Sequence, residues 1–348
     1  MKTVNLGSVP VGDGHPVVLM AEIGTFFNQD ITLAKEYLSA IASAGVPVFK
    51  TEILHDADVC LRDSGLDITF SHSSGKKTES YRALIERKTV PLAHYAQLFA
   101  QCRDIGIPFT ASVYDNEGLD FLVKEGGAGV KIARHNITNL PLIRKSAQTG
   151  LPLIFDAGLV YIDEIAAAVR AAREEGAGVI VNHHPGPNPT PAEKQNLRVI
   201  QTWKEIFDAP AGLACHYRGD EVLFAAVGVG VNLIEKGVVD DNTRIEQDVV
   251  SALNLTELAD FHRRLLNCWH ALGSRFPVIP EPRDLSVRKA AAATSDLASG
   301  TILDEEAVRF AWPPLGVPSE NWTIIAGKKL RNPVKAGRPI RWADIDFE

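Results

Sequence analysis

One period dominates this chain. Between residues 17 and 236, short apolar runs recur, each followed by an amphipathic stretch, and nearly every run ends in a residue able to do chemistry. The runs read VVLMAEIG, VPVFKTE, IPFTASVYD, GVKIAR, LPLIFDAG, GVIVNHH, AGLACH and VNLIEK. Helix-like segments lie at 32–44, 92–104, 116–125, 139–148, 162–175, 194–207, 219–228 and 256–272. Eight strand–helix units predict an α/β fold, a (β/α)8 TIM barrel, whose active sites lie at the C-terminal ends of the strands. Those ends carry Glu22, Lys50, Ser112, Lys131, Asp156, His183, His216 and Glu235. Lysines, acids and histidines on one face suggest a site for an anionic substrate, with a metal as an option.

The chain's 348 residues exceed the roughly 250 of a minimal barrel, which leaves room for a second unit. Residues 1–16 read as a lead-in loop or small hairpin, and 55–90 as a long excursion at the catalytic end, where such loops shape sites. The Pro-rich stretch 273–286 reads as a linker. We therefore expect a barrel domain over 1–283 and a small domain over 287–348, the latter near the lower size limit for an independent core. A net charge of −7 argues against nucleic acid or an anionic membrane as partner. Four cysteines without a CxxC pair suit a reducing cytosol, and neither a signal peptide nor a membrane-spanning run is evident, so a cytoplasmic location is expected. Neither a phosphate loop nor a GxSxG elbow is present, and the glycines of GVGVN (228–232) precede a strand rather than follow one, unlike a dinucleotide fingerprint.

AEIG (21–24), VFKTE (48–52), GVKIA (129–133), ITNLPLI (137–143), PTP (189–191) and GVGVNLIEK (228–236) together resemble the N-acetylneuraminate (sialic acid) synthase family. The tail adds a second match. ASGTILDEEAV (298–308), LGVP (315–318) and AGKKLRNPVKAGRPIRWADI (326–345) resemble that family's β-rich antifreeze-like (SAF, β-clip) domain. The resemblance implies a C–C bond-forming transferase of carbohydrate and surface polysaccharide biosynthesis. It condenses phosphoenolpyruvate with an aldehyde sugar, giving a 2-keto sugar acid and phosphate with a divalent metal, commonly manganese. It also implies a domain-swapped homodimer in which the antifreeze-like domain closes the partner's site.

By the same resemblance, Lys50 and Lys131 bind phosphoenolpyruvate, Glu22 is an acid beside metal and substrate, Ser112 lies at the phosphate, and His216 ligates the metal. Lysines at a barrel rim contribute little to a core, so Lys131→Ala is expected to lose phosphoenolpyruvate and keep its fold. Several positions depart from the family. The second metal histidine is Gly237. A serine is Arg134, a glutamate is Asn136, and the serine of a fifth-strand STG motif is Asp156. The sixth strand ends in His183 and His184, the sugar-contacting loop reads Phe26-Phe27, and Trp312 and Pro313 stand where the tail's arginine is expected. Arg134 can clamp an oxyanion, and Asp156 beside a phosphate needs Arg134 or a metal as partner. His183, His184 and His216 can rebuild a metal site with Asp156 or Glu22, or the HHP turn can cap backbone groups. The phenylalanines either pack a loop or shape a less polar acceptor pocket. The alternatives to the family reaction are another aldol or lyase reaction on an anionic substrate, and a silent subunit that binds an active synthase.

Overall fold

The computed structural model describes residues 3–274, 276 and 286–348. Two compact units divide the chain, Met1–Gly273 and Ser274–Glu348. In the first, eight strands form a closed parallel barrel: Val18–Glu22, Val48–Ile53, Phe109–Val113, Gly129–Ile132, Leu153–Ala157, Val179–His183, Ala211–Cys215 and Leu233–Val239. The eighth strand pairs with both the first and the seventh, which closes the ring. A helix follows every strand, as the period predicts. The helix expected from 194 instead starts at Val199, because a 3-10 turn at Ala192–Lys194 and a left-handed Asn196 (φ 45°) occupy the approach.

Side chains alternate faces along a strand, so every second residue enters the barrel. Met20, Val48, Ile154, Ile180 and Leu233 form an apolar floor with Val4, Leu6 and Val11 of the lead-in. That lead-in is the expected small hairpin, Val4–Leu6 against Val9–Val11, turned at Gly7 with φ 58°. Gly129 leaves room for it, since a Cβ there would stand 2.9 Å from Leu6 Cδ2. Two residues beyond each floor position come Glu22, Lys50, Asp156, Asn182 and Glu235. The polar layer is thus set by strand parity.

The excursion after the second strand is ordered. It contains a hairpin, Asp67–His72 against Gly75–Ser80, and a helix, Tyr81–Lys88. The expected linker at 273–286 lies mostly outside the described residues. The second unit is β-rich, with Ala290–Ala293 antiparallel to Val308–Ala311 and Lys329–Leu330 antiparallel to Ile345–Asp346. Its own apolar core includes Leu303, Val317, Ile325, Leu330 and Ile340. Among the described residues no helix is long and apolar enough to cross a membrane.

Candidate functional site

A cavity of about 500 Å³ opens at the C-terminal ends of the strands. Of the residues singled out from sequence, Glu22, Lys50, Ser112, Lys131, Arg134, Asn136, Asp156 and His216 line it. His183 does not. Its Nε2 lies 2.7 Å from the Gln195 carbonyl, so this ring ties down a backbone group, the capping role open to the HHP turn. His184, one residue on and of the same parity as Asn182, faces the cavity instead.

The floor of the cavity is an alternating chain of charges. Lys50 Nζ donates to Glu22 Oε1 at 2.7 Å and lies 3.3 Å from Glu235 Oε1. Lys131 donates to Glu235 Oε2 and lies 3.0 Å from Asp156 Oδ1. Asn182 Nδ2 donates to Glu235 Oε2 at 3.1 Å, and His184 Nδ1 stands 3.5 Å from Asp156 Oδ2. Asp156 therefore finds its partner in Lys131, not in Arg134 as the sequence allows. Both lysines are 1 % exposed, so they are interior groups rather than flexible rim side chains. Such burial is tolerable because each charge is paired.

Two ammonium groups meet three carboxylates here, and the carboxylates titrate apart. Burial opposes ionisation of all three. For Glu235, Lys131 and Lys50 overcome it and hold the carboxyl well below the usual range. For Asp156, Lys131 and then His184 also outweigh burial and lower the carboxyl from its usual range. Glu22 has only Lys50 against burial and the neighbouring Glu235, and its carboxyl is pushed up to about 8. Lys50 and Lys131 stay charged, because the acids outweigh the cost of burial. His216 moves the other way. Burial and the neighbouring His184 push its imidazole down to about 4, so it is neutral at pH 7. Its Nδ1 is buried without a hydrogen-bond partner among the described residues.

Sequence reasoning placed Glu235 at a strand end but gave it no role, whereas it is the hub of the chain of charges. Its setting depends on a glycine. A Cβ on Gly212 would stand 2.0 Å from Asn182 Oδ1 and 2.9 Å from the Leu233 carbonyl. Gly212→Ala is therefore expected to dislodge Asn182 from Glu235 and cost about 1–3 kcal/mol, as overpacking does. Urea denaturation checks this, and an unchanged midpoint would contradict the packing described.

At the mouth, the Arg134 side chain makes no hydrogen bond or ion pair among the described residues, unlike the other cations of the lining. Asn136 Nδ2 donates to the Val113 carbonyl at 3.3 Å. Phe26 and Phe27 both pack in the apolar core, and Phe26 also lines the cavity.

The donor set does not fit the two-histidine metal site that the resemblance implies. Gly237 has no ligand atom, and His183 is turned away. Among the described residues, no three His, Cys, Asp or Glu side chains converge in a way that could hold a metal ion. The rebuilt three-histidine site is therefore not formed.

A TIM barrel with a buried chain of charges at its strand ends, followed by a small β-rich unit, defines the class of protein. Residues 37–276 match the NeuB family and residues 288–346 the SAF domain. The chain belongs to the NeuB family, the sialic acid synthase family its motifs resemble. It is 28% identical over 350 residues to uncharacterized protein MJ1065 of Methanocaldococcus jannaschii, covering 99% of each chain. It is 24% identical over 348 residues to N,N'-diacetyllegionaminic acid synthase of Legionella pneumophila, covering 98% of each. A crystal structure of N-acetylneuraminic acid synthetase from Leptospira borgpetersenii superposes with a TM-score of 0.72 at 23% identity, over 81% of this chain and 93% of that one. That likeness speaks for the fold.

Proposed function

We propose that this protein is a sugar-acid synthase that joins phosphoenolpyruvate to the aldehyde carbon of a sugar. The observation that carries the reading is the pair of buried, charged lysines, Lys50 and Lys131, at neighbouring points of one cavity with an unengaged Arg134 at its mouth. Oxyanions of the donor compete with the acids for these ammonium groups. Glu22 yields most easily, since it is largely neutral at pH 7. Arg134 and Ser112 complete the anion contacts. C3 of the donor attacks the aldehyde carbon, water adds at C2, and phosphate leaves with the bridging oxygen as the C2 carbonyl forms. The aldehyde oxygen becomes a hydroxyl by taking a proton, which the protonated carboxyl of Glu22 is suited to give; of the two protons the water loses, one restores Glu22 and one leaves on the phosphate.

The charge balance favours one alternative. Lys50, Lys88, Lys131 and Arg134 share the lining with Glu22, Glu52, Asp156, Glu235 and Asp248, so the cavity is not strongly cationic. A less highly charged keto acid in an aldol or lyase reaction fits that balance too. Phosphate release from phosphoenolpyruvate, measured against a panel of amino-sugar and simple sugar aldehydes, separates the two. We expect release that depends on one acceptor. No release from folded protein with any acceptor would reject the synthase reading.

A further inference from the structure

We propose that Phe26 and Gly237 are a matched pair that closes the metal corner of the site, so that the protein holds no divalent ion at His216. The strand register defines the corner. Cys215 stands opposite Lys236, which brings His216 beside Gly237, and Gly237 stands opposite Glu22 on its other side. Residue 237 shares the inward parity of Glu235 and lines the cavity. A donor side chain there would lie between His216 and Glu22 and complete a three-ligand set. Glycine removes that donor, and Phe26 takes its space. A Cβ at 237 would stand 3.2 Å from Phe26 Cε2 and 3.4 Å from Cζ, with Ala252 Cβ at 3.5 Å. The ring is also held from the other side, because a Cβ on Gly24 (φ 46°) would stand 3.3 Å from Phe26 Cε1. Its backbone is fixed as well: the Phe26 amide donates to the Ile23 carbonyl at 2.9 Å, and its own carbonyl accepts from Arg244 at 3.2 Å. Phe26 is only 6 % exposed, so the ring cannot swing aside without opening this packing. The corner presents an imidazole and an aromatic face in place of an ion. It therefore suits an uncharged, partly apolar portion of a substrate.

The inference does not depend on which reaction the site performs. Its test is manganese binding to full-length protein, read from the paramagnetic resonance of free Mn²⁺, with thermal melts to confirm folding. Wild type, Phe26→Asn and Gly237→His are expected to bind Mn²⁺ weakly and alike. The first two lack a donor at 237, and the third has an imidazole there that cannot enter. The double variant is expected to bind at least about tenfold more tightly. Stoichiometric binding by wild type would overturn the closed corner. Equal gain by Gly237→His alone would overturn the role of Phe26, and no gain by the folded double variant would overturn the pairing. Where the double variant does not fold, Gly237→Ala serves. Its loss of stability is expected to shrink in a Phe26→Ala background, and strictly additive losses would overturn the pairing.

Discussion

Replacing Lys131 by methionine is expected to cost about 3–5 kcal/mol of folding stability at neutral pH, in addition to abolishing turnover. The ammonium group is 1 % exposed and is shared by Glu235 and Asp156, themselves buried. Removing one partner of a buried ion pair leaves uncompensated charge, which is the costly case. Here two carboxylates lose their main counter-ion, which leaves Lys50 and Asn182 beside Glu235 and His184 beside Asp156. The deficit carries a pH signature. In the wild type these carboxyls are held below their ordinary values, so their contribution is present above the unfolded pKa and is lost as pH falls through the folded one. In the variant that depression is gone, and the acids protonate more readily in the folded state. The gap between variant and wild type should therefore be widest near neutrality and narrow on acidification. Urea denaturation at a series of pH values reads this. A second substitution, Glu235→Gln in the Lys131→Met background, is expected to recover part of the loss. A variant as stable as wild type at neutral pH would contradict the ion-pair chain.

That outcome differs from the sequence-based expectation, in which Lys131 is a rim group dispensable to the fold. The difference shows what local pattern conveys and what it omits. The barrel itself is legible because buried parallel strands need short apolar runs and crossover helices, and eight of each occur in register. Lys50, Lys131 and Asp156 are legible because each ends such a run. Parity along the run carries a further signal. Counting by twos from Ile180 reaches Asn182 and then His184, which puts His183 on the other face, as its bond to the Gln195 carbonyl shows. The same count from Leu233 reaches Glu235. Closure across the barrel is not written in any local stretch. That Glu235 bridges Lys50 and Lys131, or that Phe26 fills the space beside Gly237, follows from strands brought together by ring closure. The resemblance assigns metal ligation to His216, but a ligand set depends on which neighbours ring closure brings beside it.

Glu22→Gln is expected to lower kcat by about 10²–10⁴, the usual range for loss of a positioned general acid or base. The proposed role needs a proton on Glu22 at working pH, and burial beside Glu235 supplies it by raising the carboxyl to about 8. Activity of the wild type should accordingly decline as pH rises through about 8. Glutamine keeps the size and can still accept from Lys50, but it cannot deliver the proton, so the residual activity of the variant should lack that alkaline limb. Stability supplies an independent check with its own sign. A carboxyl raised from 4.5 to about 8 binds more protons when folded than when unfolded across that interval. This group therefore contributes most below about 4.5 and progressively less as pH rises to about 8. Glutamine has no such proton to lose, so Glu22→Gln should gain stability relative to wild type as pH rises over the same window. The pH–rate profile and denaturation midpoints of both proteins measure the two effects separately. If the variant keeps the alkaline limb, another group carries the proton. If the stability difference is flat with pH, Glu22 is already ionised in the folded protein and cannot serve as the acid.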